Sequence, residues 1–223
     1  MLKKYMVDGI LDTLTEEIKR DWPETLEEWD RSCDAGGIRH DFAEGTAPEP
    51  ISAILFALAV DIPSILPAAF YQLCITPCGN EWEEQPRYKR CPSARWRLLD
   101  AEFLLRFLKA KEALHDMFRS SVHKYRVYLT QGVFVDDSCI IRAEMHADDP
   151  EYKLCADIMK EMDQYAQEVL ASLTEPVGSP DCLNILQALP GSNGLCQPCR
   201  VQAWAAIDEE REHLWSSLAR HFQ

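Results

Sequence analysis

The stretch that decides the fold class runs from Asp100 to Tyr125 and reads DAEFLLRFLKAKEALHDMFRSSVHKY. Apolar side chains recur in it at intervals of three and four residues, the period of an amphipathic α-helix. The face that they form consists of Leu104, Phe107, Leu108, Lys111, Leu114, Phe118, Val122 and Tyr125. We therefore predict a long helix that begins at Asp100 and continues to about residue 125.

Helical spacing recurs on both sides of this stretch. Near the N-terminus, the spacing predicts one helix over residues 2–20, or two short helices joined near Gly9, with an apolar face of Leu2, Met6, Ile10, Leu14 and Ile18. Further helices are predicted near residues 50–60, 62–75, 150–173, 180–189 and 197–221. Residues 127–141 alternate less cleanly and are assigned a short strand-like piece. The prediction is an all-α protein with a small N-terminal helical block followed by a larger helical bundle.

The charge balance disfavours nucleic acid as a direct partner. The chain has 223 residues with 37 acidic and 23 basic side chains, and its net charge is -14. Binding to phosphate backbones instead uses clustered lysine and arginine. The apolar run at 51–70 is long enough to span a membrane, but Asp61, Pro63 and Pro67 divide it. Two buried core helices are therefore expected there, and no membrane is expected as a partner.

The cysteines indicate a reducing compartment. The chain has 9 of them, an odd number that is widely scattered, whereas secreted disulfide scaffolds are usually short and dense in paired cysteines. Asp8 interrupts the N-terminal segment early, so this segment does not resemble a signal peptide. We predict an intracellular protein, cytoplasmic or nuclear.

A metal site is the chemical possibility with a recognisable pattern. Cys196 and Cys199 are separated by two residues, a gap that lets two sulfurs bind one tetrahedral ion. Remote candidates for further ligands are Cys139, His146 and Cys182; Cys139 completes the predicted set Cys139, Cys196 and Cys199. Three interpretations stay open: structural cysteines without metal, a closed structural zinc site, and a redox pair. No other cofactor is expected.

The sequence contains no motif that predicts catalysis. It lacks a Gly-x-Ser-x-Gly elbow, a phosphate-binding glycine loop, a His-Glu-x-x-His motif and a dinucleotide fingerprint. His115 and His123 lie on the long predicted helix, and their use with nearby carboxylates would require convergence in a pocket. The chain is predicted to be a non-enzyme, without catalytic residues.

The tryptophans have two interpretations. Trp22, Trp29, Trp204 and Trp215 stand at helical spacing with other apolar residues, which favours core packing over an exposed binding ridge. The set that we most expect to be exposed is Leu214, Trp215 and Phe222, because chain ends fray and lack cover.

The order of several segments resembles the region that follows the BTB (POZ) fold in mushroom-type fungal BTB-domain proteins. The similar segments are Leu2-Lys3-Lys4-Tyr5, DWPETLEEWD at 21–30, DIPSILPAAFYQL at 61–73, LCQPC at 195–199, and the Arg211 to Leu218 ending. The resemblance implies closing helices of a truncated BTB-like domain at 1–32, a linker and helical extension at 33–75, an irregular linker at 76–99, and a C-terminal helical domain at 100–223.

That resemblance implies a non-catalytic protein–protein interaction module of an adaptor type, whose partners are other proteins. The strand-rich half of the BTB fold, which supplies its dimerisation surface, is not among the matched segments, so homo-oligomerisation is not expected from it. The alternative is a small structural-zinc protein whose cysteine-clamped C-terminal region is the recognition surface.

Overall fold

The computed structural model describes residues 8–33, 48–84, 93–130, 155–173, 180–189 and 194–221. Within these ranges the protein is all-α, as predicted, and the structure has no β-strand there. The eight α-helices of the described ranges are α1 Asp8–Asp21, α2 Leu26–Ser32, α3 Pro50–Val60, α4 Leu66–Ile75, α5 Ala101–Thr130, α6 Cys155–Ser172, α7 Cys182–Ala188 and α8 Gln197–His221. None of them is both long and apolar enough to cross a membrane.

The chain forms two compact units. Unit 1 comprises Met1–Ala113 together with Trp215–Gln223, and unit 2 comprises Leu114–Leu214. Helices α5 and α8 therefore each contribute residues to both units. The four-part division drawn from the sequence stays a prediction.

The apolar stretch at 51–73 forms two helices of unit 1, as its two prolines predict. Helix α3 ends at Val60, and its C-cap Asp61 adopts a left-handed conformation with φ of 65°. Pro63 then opens a short 3-10 turn that leads into α4. The N–H of Ile62 donates to the carbonyl of Ala57 at 2.9 Å and closes the end of α3. Both helices carry fully buried apolar side chains, so they belong to the core of unit 1.

A buried carboxylate ties the start of α3 to a distant part of unit 1. Glu49 accepts hydrogen bonds from the N–H groups of Ile51 at 3.0 Å and Ser52 at 2.6 Å. It also accepts one at 2.8 Å from the N–H of Arg95, 46 residues away. The cap thus satisfies the unpaired N–H groups of a helix start and fixes Arg95 at the same time.

Aromatic contacts form the centre of unit 1. The Trp29 ring lies 5.3 Å from that of Tyr71, edge to face, and 5.9 Å from that of Trp215. Trp215 is buried, and so is Leu214 in unit 2. The predicted exposure of these two residues is therefore wrong, because Trp215 has aromatic cover despite its place near the C-terminus. Phe222 lies outside the described residues.

Core packing is confirmed for Trp22, Trp29 and Trp215, while Trp204 is half-buried.

Helix α5 is longer than predicted and its buried face is partly different. Phe107, Leu114, Phe118, Val122 and Tyr125 are buried as expected. Leu104 and Leu108 are exposed instead, and Phe103 and Ala110 take their places in the core. Residues 127–130 are helical, so the predicted strand-like piece is wrong at its start; the remainder of 127–141 lies outside the described residues.

Polar contacts join the helices of unit 2. The buried Glu210 of α8 accepts a hydrogen bond from Ser121 Oγ of α5 at 2.6 Å and pairs with Lys124 Nζ at 2.9 Å. Arg126 of α5 pairs with Asp163 of α6 at 2.7 Å. These contacts combine a charge with a hydrogen bond inside partly buried surroundings, where such bonds are stronger than at the surface.

Candidate metal centre

The first two candidate ligands stand at the start of α8. Cys196 directly precedes the helix, and its carbonyl accepts the first helical hydrogen bond from the N–H of Arg200 at 2.9 Å. Pro198 lies in the first turn, where its fixed φ suits a helix start. Its missing N–H costs no hydrogen bond there, because N–H groups of the first turn have no partner within the helix. One helical turn therefore brings the side chains of Cys196 and Cys199 near each other.

A third cysteine joins them, and it is Cys155. The sulfur atoms of Cys155, Cys196 and Cys199 all lie within 4.8 Å of one another. The N–H of Cys196 also donates to Cys155 Sγ at 3.4 Å. All three residues belong to unit 2, and Cys155 stands 41 residues before Cys196. Two separate segments of the chain thus supply the cluster.

A glycine allows this approach. A Cβ added at Gly194 would collide with the Ile158 side chain of α6. Leu195, which follows, is buried. A side chain at position 194 would have to displace the end of the Ile158 side chain, so glycine lets the backbone at 194–196 run close to α6, where Cys155 lies.

The surroundings of the cluster are apolar and largely closed to water. Cys155 and Cys199 are buried, and Cys196 is half-buried. Two sulfurs bound to one tetrahedral zinc ion at 2.3 Å would stand about 3.8 Å apart. The sulfurs of this cluster lie within 4.8 Å of one another, which includes that distance. The sulfurs of a disulfide are bonded at about 2.0 Å. The arrangement is therefore of a size that one ion can bridge.

The remaining predicted ligands do not join this group within the described residues. Cys182 begins α7, is buried, and its sulfur donates to the carbonyl of Pro180 at 3.5 Å. Cys139 and His146 lie outside the described residues, so their place in a metal site stays a prediction. Cys155 was not predicted as a metal ligand, because it lies on an apolar helix face with Ile158 and Met159, which is the usual position of a core residue.

The chain was compared with models of known protein families, with the curated proteins and with solved structures. No match was found in any of the three.

The histidines considered for catalysis lie on α5, with His115 half-buried and His123 exposed. They are eight residues apart, or about 12 Å along a helix axis, and the hypothesis that one of them acts with nearby carboxylates stays a hypothesis. On the same helix, Ser121 and Lys124 bind the buried Glu210 of α8. That arrangement joins two helices of unit 2.

A second candidate site is an apolar surface on unit 1. Ile10 is 55% exposed and Leu14 is 37% exposed on α1, with Leu11 and Ile18 half-buried beside them; we call these four side chains the α1 apolar face. Ile10 and Leu14 belong to the apolar face predicted from the sequence and are exposed, whereas Leu2 and Met6 of that face lie outside the described residues. The following helix α2 instead buries Leu26 and Trp29.

Proposed function

We propose that this chain is a non-catalytic protein-interaction module that works as an adaptor. The observation that carries the proposal is the exposure of the α1 apolar face. A soluble amphipathic helix normally directs its apolar stripe to a core. On α1 this stripe meets solvent instead, at Ile10 and Leu14 above all.

The length of α1 strengthens the argument. A helix of 14 residues is marginal in water unless its apolar face packs against something. A binding partner with an apolar groove would supply that packing, and residues four apart on one face are the usual anchors in helix-in-groove recognition. Ile10, Leu14 and Ile18 have this spacing.

A second run of exposed leucines on unit 1 supports the same function. Leu104, Leu105 and Leu108 lie in the first half of α5, and Leu105 is 54% exposed. Residues three and four apart are neighbours on a helix surface, so the three leucines form a continuous apolar strip. Contiguous exposed apolar surface often marks a protein-binding site.

The adaptor role is proposed from the resemblance to BTB-domain proteins. The zinc-clamped C-terminal recognition surface has less support as an alternative. Leu214 and Trp215, the C-terminal apolar residues that were expected to be exposed, are buried.

The test is site-specific photo-crosslinking in cells that make the protein. A benzoylphenylalanine residue replaces Ile10 in one variant and Asp12, an exposed residue of the same helix, in the other. We expect position 10 to crosslink to a discrete protein band and position 12 to give little product. The double variant Ile10→Ser with Leu14→Ser should abolish recovery of that protein.

Hydrogen exchange on the purified protein gives an independent measurement. The amides of α1 should exchange quickly in the isolated monomer and slow down when the crosslinked partner is added. Strong protection of α1 in the monomer, or equal crosslinking from positions 10 and 12, would contradict the proposal.

A further inference from the structure

We propose that Cys155, Cys196 and Cys199 bind one thiophilic divalent cation, and that this ion is Zn²⁺. The inference goes beyond the interaction function, because the site lies in unit 2 and the α1 apolar face lies in unit 1. It holds whether or not α1 binds a partner.

The geometry is the first support. Three sulfurs from two non-contiguous segments lie within 4.8 Å of one another. The close pair Cys196 and Cys199 has the two-residue gap of zinc-binding cysteine pairs. The third, Cys155, lies on α6, a separate helix. Because 41 residues separate Cys155 from Cys196, local chain geometry does not explain their meeting.

The electrostatic setting is the second support. Metal binding requires the thiolate form of cysteine, and helix N-termini favour negative charge. Cys196 and Cys199 stand at the start of α8. The N–H of Cys196 donates to Cys155 Sγ, and hydrogen bonds of this type orient the ligands of metal sites.

The choice of ion follows from the ligands. Thiolates select soft or borderline metals such as zinc and exclude calcium and magnesium, which require oxygen. Each cysteine that coordinates the ion loses its S–H proton to solvent, so three protons are released on binding. Three thiolates and one Zn²⁺ leave a net charge of -1, and water can complete the tetrahedron as the fourth ligand.

Zinc in this site would connect α6 to the start of α8. Since a metal that binds the folded state alone stabilises that state, unit 2 should unfold at a lower temperature after chelation. Affinity should also rise with pH, because protons compete with the metal for the sulfurs.

The experiment is a titration of the full reduced chain with Zn²⁺ and with Co²⁺. We expect one equivalent of zinc by elemental analysis and, with cobalt, the sulfur-to-metal charge-transfer absorption of thiolate coordination. Cys155→Ser, Cys196→Ser and Cys199→Ser should each weaken binding by more than about 100-fold, since even second-shell changes cost 10–100-fold.

The matched control is Cys182→Ser. Cys182 is also buried and also begins a helix of unit 2, but its sulfur is outside the cluster. This variant should keep the wild-type affinity, and circular dichroism of all four variants should establish that they are folded. If a ligand variant fails to fold, the stoichiometry and the charge-transfer absorption of the wild-type protein still decide the question.

Three results would overturn the proposal. Wild-type protein could bind no stoichiometric metal, or Cys155→Ser could bind zinc as tightly as wild type. Mass spectrometry under non-reducing conditions could also find a disulfide between two of the three cysteines, which would make the cluster a redox pair.

Discussion

Burial controls the reactivity of individual cysteines in unit 1. Cys74 is buried on α4, and loss of solvation raises the pKa of its thiol to about 12, against an opposing effect of the positive charge on Lys111. Cys78, four residues later, is exposed. The thiolate is the reactive form, so the two cysteines should differ in their chemistry.

We predict that iodoacetamide at pH 8 modifies Cys78 in the native protein and leaves Cys74 intact. With a pKa of about 12, roughly one Cys74 thiol in ten thousand is ionised at that pH. Peptide mass spectrometry after timed labelling measures both residues in one sample. Both should react in denaturant, and equal rates in the native protein would contradict the burial of Cys74.

A glutamate is the residue that most constrains the start of α3. Glu49 is buried and accepts three backbone hydrogen bonds, two from its own helix and one from Arg95. We predict that Glu49→Ala lowers the free energy of unfolding by about 2–3 kcal/mol, because it removes a helix cap and leaves buried N–H groups unpaired.

Urea denaturation followed by circular dichroism measures this loss. The matched control is Glu83→Ala, which removes the exposed partner of the Arg95 side chain and leaves the bond from the Arg95 backbone to Glu49 in place. Exposed ion pairs contribute little, so this variant should stay within about 0.5 kcal/mol of wild type. Equal losses in the two variants would mean that the buried cap is not the source of the effect.

At the scale of the elements, an ion pair between α5 and α6 makes unit 2 sensitive to acid. Burial raises the pKa of Asp163, but hydrogen bonds from Arg126 and Gln167 and the charge of Arg126 outweigh it, so the net pKa is lowered from 3.8. A carboxyl whose pKa is lower in the folded state stabilises the fold above its unfolded pKa. That stabilisation is lost as the pH falls through the folded value.

We therefore predict that Asp163→Asn destabilises the protein by roughly 1–2 kcal/mol at pH 7 and that the difference from wild type shrinks below about pH 4. Chemical denaturation from pH 3 to pH 7 measures it. Asp157→Asn removes an exposed pair within α6 and should cost less than about 0.5 kcal/mol throughout. A constant cost of Asp163→Asn at every pH would exclude the electrostatic explanation.

The helices differ in how far their sequence determines them. Helices α3 and α4 were predictable because Pro63 marks their junction and because they are apolar on nearly every side. Helix α5 has two adjacent apolar stripes, one with Leu104 and Leu108 and the other with Phe103 and Ala110. Periodicity cannot choose between them, since the choice depends on which neighbouring helix packs there.

Only the two cysteines of the candidate metal site that are close in sequence could be predicted. Cys196 and Cys199 are visible from their spacing, whereas Cys155 is brought to them by tertiary packing and by the close approach at Gly194. Gly194 stands two residues before Cys196, so the sequence shows a turn next to the cysteine pair. Nothing in the linear sequence connects this glycine to Ile158.

At the scale of the whole molecule, net charge and exposed apolar surface act together. The charge is -14 at pH 7 and the isoelectric point is about 4.8. We predict a solubility minimum near pH 5, where mutual repulsion vanishes and exposed leucines of unit 1 associate. The soluble fraction after centrifugation at pH 4–8 measures it.

The Ile10→Ser, Leu14→Ser variant is the control for this solubility prediction. It should remain more soluble than wild type near pH 5 and equal to it at pH 8. A minimum that is unchanged in depth would show that α1 does not contribute to association.

The contact between Trp29 and Trp215 has a consequence for how the protein is made. Unit 1 is discontinuous in the chain, and its last part leaves the ribosome about a hundred residues after Ala113. At usual rates of synthesis that delay is roughly 5–20 s. During this interval Trp29 lacks the ring that covers it in the finished protein. A nascent chain halted before Trp215 would therefore present an aromatic surface to chaperones, and the emergence of Trp215 is the step that covers it.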